Sequence, residues 1–95
     1  MGEKTAYQDK YEAKLKEWKA KITQLEARAG QAKADARIEY QDQIEELKKK
    51  EKAARGKLDE LKKAGSDAWK DLKSGLDKAG DEIKAALDKA ASKFK

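Results

Sequence analysis

The chain contains no proline, no cysteine and no histidine. Without proline, no position is barred from a helix interior. Without cysteine, disulfides and thiolate metal sites are excluded. Without histidine, the commonest general base and metal ligand is missing. No apolar run approaches the roughly 18 residues a membrane helix needs. Met1–Lys10 is polar and charged, with no signal-peptide core. The sequence therefore reads as soluble and cytoplasmic.

What is present is charge. Of 95 residues, enough for one small domain, 45% are charged and 38% hydrophobic, many of the latter alanine. That balance suits long exposed helices that bury a narrow seam, not a thick core. It also resembles the composition of unfolded chains, but the apolar residues fall in register. The net charge of +5 is a mild excess. It permits weak attraction to anionic surfaces without demanding it.

Thr5 and Gln8 have capping-box spacing, which predicts a helix start near Ala6. Tyr11, Leu15, Trp18, Ile22, Leu25, Ala29, Ala32 and Ala36 then follow at alternating steps of four and three. That is a heptad seam. It keeps phase across Gly30, which reads as a weak point and not a turn. Ala36, Tyr40, Ile44 and Leu47 continue it with one extra step of four, a stutter that locally unwinds a supercoil. Lys48–Lys57 holds six bases and one acid with no aromatic, and reads as a solvated charge run. Favourably ordered pairs such as Glu17–Lys21, Glu45–Lys49 and Glu51–Arg55 support helix through this middle.

"KKAGSDAW" (Lys62–Trp69) is the expected turn. Lysines, a glycine stop at Gly65, Ser66 as N-cap and Asp67 in a first turn stand in the usual order. Beyond it, Asp67–Asp77 aligns with Lys78–Asp88 as an 11-residue repeat, and Lys89–Lys95 begins a third copy. At 100° per residue, Trp69, Leu72, Leu76, Ile83, Leu87 and Phe94 form one narrow stripe. Eleven residues over three turns keep that stripe nearly straight. Its face suits either a partner helix or a lipid surface.

The adjacent acids Glu45–Glu46 and Asp81–Glu82 point about 100° apart on a helix and share no cleft. No calcium loop is present. The reading is therefore non-enzymatic, with no cofactor and no metal.

The stretches "KLKEWKAKITQLEARAGQAKADARIEYQDQIEELKKK" and "DAWKDLKSGLDKAGDEIKAALDKAASKFK" resemble a widespread family of short bacterial coiled-coil proteins, mostly uncharacterised and sometimes catalogued as stress-related. The likeness covers nearly the whole chain and implies no catalytic residues. Where the family often carries a second Trp one repeat after Trp69, this chain has Gly80. A more distant likeness, of periodicity alone, is to apolipoprotein-type 11-residue repeats.

The expected fold is all-α: a long helix from about Thr5 to Ala64, a turn at Gly65–Ser66, and a helix from about Asp67 to Phe94 folding back as an antiparallel coiled-coil hairpin. A three-helix bundle bent at Gly30 is the main alternative, and a single continuous helix the third. The expected function is that of a helical interaction or structural protein, stress-related by resemblance. The alternative is a peripheral lipid-surface binder acting through the Trp69–Phe94 stripe. Because Tyr11, Leu15, Trp18, Ile22 and Leu25 have no matching heptads within the chain, they are expected to form a seam for self-association. A protein partner or an anionic membrane is the other candidate, and nucleic acid is disfavoured.

Overall fold

The computed structural model describes residues 2–65 and 67–93. They form three helices, α1 (Glu3–Gly30), α2 (Ala34–Lys63) and α3 (Ala68–Lys93), with no strand among the described residues. Cross-helix pairs give the directions. Glu26 faces Lys48 and Glu12 faces Lys62, so α1 and α2 are antiparallel. Lys93 at the end of α3 meets Glu39 and Tyr40 near the start of α2, so α2 and α3 are antiparallel too. Each helix packs against both others, a packing consistent with a bundle, and the body measures 50 × 18 × 18 Å.

Each helix contributes its seam to one core. From α1 come Tyr7, Tyr11, Leu15, Trp18, Ile22, Leu25 and Ala29; from α2 come Ile44, Leu47, Ala54, Leu58 and Leu61; from α3 come Trp69, Leu76, Ala79, Ile83, Leu87 and Ala90. Spacings of three, four and seven keep these on one side of each helix. Bulk and its absence are matched across the core. A Cβ built on Gly80 would lie 2.9 Å from Tyr11 Oη and 3.2 Å from Trp18 Cη2. The α1 aromatics thus occupy the space that a side chain at position 80 would need.

The helix expected over about 5–64 is two helices, interrupted at Gln31–Lys33. Gln31 is still right-handed helical, but Lys33 is extended at φ −65°, ψ 154°. The last turn tightens: the Gln31 and Ala32 amides donate to the Arg28 and Ala29 carbonyls at 3.1 Å. Arg37 Nη2 then reaches back and donates to the Gly30 and Ala32 carbonyls at 3.3 and 3.0 Å. Carbonyls left open at a helix end need such partners. The break follows from packing, since reversing the chain here lets the α1 seam bury against α2 and α3.

The helix start also differs from expectation. Gly2 is the N-cap of α1 and Thr5 lies inside the helix, so the capping box does not form. The expected turn does end α2, at Lys63, with Ala64 extended as its C-cap. Ser66 and Phe94 lie outside the described residues. No described glycine has positive φ.

Candidate functional site

The expected oligomer seam lies inside the chain's own core. Tyr11, Leu15, Trp18, Ile22 and Leu25 are 3–7% exposed. α2 and α3 supply the partner that heptad matching had missed, because their seams follow a stutter and an 11-residue repeat and not the same heptads. The C-terminal stripe also faces inward: Leu76 and Ile83 are fully buried, Trp69 and Leu87 nearly so, and Leu72 is half-buried. Among the described large hydrophobics only Ile38 is well exposed, at 65%.

The most developed polar site joins the N-terminal parts of α1 and α3. Tyr7 Oη lies 2.6 Å from Asp77 Oδ1 and 3.1 Å from the Lys73 carbonyl. With one hydroxyl proton to give, it donates to the shorter, charged acceptor. Tyr11 Oη donates to the same carboxylate oxygen at 2.9 Å. Around this pair the rings make a chain. Tyr7 sits 5.0 Å from Tyr11 and 6.0 Å from Trp69 between centroids, and Tyr11 meets Trp18 edge-on at 6.3 Å. Lys14 and Lys73 place their ammonium groups 5.0 and 5.3 Å from the Tyr11 and Tyr7 ring centres, within cation–π range.

The electrostatics follow from this geometry. Burial, then the hydrogen bond to Asp77, raises both phenols: Tyr11 is pushed up to about 12 and Tyr7 further. For Asp77, burial acts to raise the pKa, but the two tyrosine hydroxyls, with Lys73 and Lys10, outweigh it and hold the carboxyl below its ordinary range. A tyrosine serving as nucleophile or base needs its proton loosened. Here it is held more tightly, so the cluster works as a clasp between helices.

Tyr7, Asp77 and Arg37 stand outside the residues expected from the sequence. Tyr7 was within reach, standing four residues before Tyr11 on the seam. Asp77 and Arg37 carry no local signal, because their partners are set by the fold.

The adjacent acids Glu45–Glu46 and Asp81–Glu82 are exposed. Among the described residues, no group of three acidic side chains converges on a cation-sized site, and no helix is long and apolar enough to cross a membrane.

The charged surface is uneven along α2. Residues 34–47 carry Asp35, Glu39, Asp42, Glu45 and Glu46 against Arg37 alone; residues 48–63 carry eight bases against Glu51, Asp59 and Glu60. Three of those bases have carboxylate partners: Lys48 with Glu26 at 3.0 Å, Arg55 with Glu51 at 2.6 Å, and Lys62 with Glu12. Lys49, Lys52, Lys57 and Lys63 are exposed, with no carboxylate among the described residues within ion-pair distance. Of the expected pairs within one helix, Glu17–Lys21 and Glu51–Arg55 form. Comparison with known proteins adds nothing to this geometry: no family model, no curated protein and no solved structure matches the chain.

Proposed function

We propose that this chain is a non-enzymatic helical interaction protein: a closed three-helix bundle that spends its three apolar seams on its own fold and meets acidic protein surfaces through the lysine-rich half of α2. The observation that carries the reading is the set Lys49, Lys52, Lys57 and Lys63, exposed on one helix without carboxylate partners among the described residues. A partner's carboxylates reach these ammonium groups without first displacing an internal ion pair. With so little apolar surface exposed, recognition by the closed form rests on charge, which sets on-rate and specificity more than raw affinity. The stress-related setting implied by the resemblance belongs to this proposal, and predicts that the chain accumulates when its host is stressed.

The test uses poly-glutamate as the acidic probe, with anionic vesicles in parallel. Poly-glutamate should bind in low salt and release as salt rises. The variant Lys49→Glu/Lys52→Glu/Lys57→Glu should lose binding while keeping the wild-type circular dichroism spectrum. Binding that survives the triple reversal sinks the proposal. Vesicle binding with quenching of Trp69 emission by brominated lipid chains, read in a Trp18→Phe background, would instead favour the lipid-surface alternative. There α3 leaves the core and lays Trp69, Leu72, Leu76, Ile83 and Leu87 on the membrane.

A further inference from the structure

We infer that Gln31–Lys33 is a hinge through which two copies of the chain exchange α1, forming a dimer in which α1 and α2 run as one continuous helix. The connection is barely a turn. Gln31 keeps helical torsions, and Lys33 already has a helical φ of −65°, so at that residue straightening needs only ψ to rotate from 154°. The devices that normally stop a helix are missing. There is no proline, no left-handed residue among the described ones, and no side-chain cap from Lys33. Among the described residues, the Arg37 guanidinium is the side-chain donor that ties the bend, through the Gly30 and Ala32 carbonyls.

The apolar pattern points the same way. Ala29, Ala32, Ala36 and Tyr40 keep helical seam spacing straight through the break. A connection that only had to reverse the chain would not need that phase. A straightened helix would carry one unbroken seam, and its alanines would let the two long helices approach closely where they cross.

Exchange sacrifices no helix–helix contact. In the dimer, α1 of one copy lies on α2 and α3 of the other and re-forms Glu26–Lys48, Glu12–Lys62 and the Tyr11–Asp77 hydrogen bond between chains. Concentration and the hinge torsions then decide between the two states. The exchange depends on the helix contacts and not on the α2 lysine face, so this test and the poly-glutamate test fail independently.

The absence of cysteine makes a clean test possible. Glu26→Cys/Lys48→Cys puts one thiol on each side of the α1–α2 contact where the long Glu26 and Lys48 side chains now meet. Cysteine is too short to span that gap as a disulfide, so a short flexible bismaleimide bridges the two thiols. The protein is concentrated, warmed through partial unfolding and cooled, and a species of twice the 10.7 kDa chain mass is expected in sedimentation. Bismaleimide treatment of that species should give a covalent dimer on a denaturing gel, whereas the monomer should cross-link within itself. Arg37→Ala should raise the dimer fraction. Lys33→Pro suits the bent φ but burdens both continuous helices, and should lower the association constant roughly ten-thousand-fold. Deleting Gln31–Lys33 leaves Ala29 and Ala36 four apart, in seam phase, and should give a dimer at every concentration. A wild type that stays monomeric after this treatment, cross-links that stay within chains in the dimer, or a folded monomeric deletion variant would each overturn the inference.

Discussion

At the scale of single residues, the Tyr7–Tyr11–Asp77 clasp and its neighbour Gly80 carry the sharpest expectations. The phenols are raised in the folded state, so the folded protein holds protons that the unfolded chain releases near pH 10. Stability from this source is fully present below pH 10 and falls as pH rises towards 12 and beyond. Asp77 has the opposite sign. Its carboxyl is depressed, so its contribution is present above the ordinary carboxylate range and is lost as pH falls through the folded value. Urea midpoints across pH should show both shoulders, and Tyr7→Phe/Tyr11→Phe should flatten both. Asp77→Ala should cost about 1.5–3 kcal/mol at neutral pH, the range for hydrogen bonds to a charged group. Gly80 supplies a second expectation. Alanine there would gain up to about 1 kcal/mol of helix propensity, yet its methyl would sit 2.9 Å from a hydroxyl that Asp77 holds in place. Overpacking costs about 1–3 kcal/mol, so Gly80→Ala should destabilise, and Tyr11→Phe in the same chain should recover part of the loss. Gly56, with nothing within 4 Å of an added Cβ, is the control: Gly56→Ala should raise the midpoint.

At the scale of elements, the seams were legible, and the break only as the alternative bend at Gly30. Tyr11 to Ala29 and Trp69 to Leu87 could be read from spacing because burial selects residues on one side of a helix, and that selection is local in sequence. The stop after Gly30 is not local. It depends on α1 finding a surface on α2 and α3, and on Arg37 reaching back seven residues to a carbonyl. The Tyr–Asp77 clasp joins residues 66 and 70 positions apart, beyond any pattern along one helix. The end of α2 could be read, because Lys62, Lys63 and Gly65 mark it locally. Two expectations belong here. Leu76 is fully buried, so Leu76→Lys should lower stability by about 3 kcal/mol or more, the cost of an uncompensated buried charge, measured by thermal melting. If that variant melts like the wild type, α3 is not held in the core. Two glycines inserted after Gly65 should leave the melting temperature nearly unchanged, because exposed connections tolerate insertion. The same insertion after Leu76 would turn the downstream stripe by about 200° and should unfold α3.

For the whole molecule, a chain with 45% charged residues can still bury most of its described large apolar side chains, because three thin seams share one core. An apolar stripe on a single helix is poor evidence of an external partner when other helices of the same chain carry complementary stripes. The surface that remains is charge, and it is not evenly laid. The acids of residues 34–47 and the lysines of residues 48–63 lie towards opposite ends of a body 50 Å long. That separation gives the protein a permanent electric dipole moment along its long axis. In an applied field the molecule turns like a compass needle, and on a charged matrix it docks end-first, before any specific contact has formed.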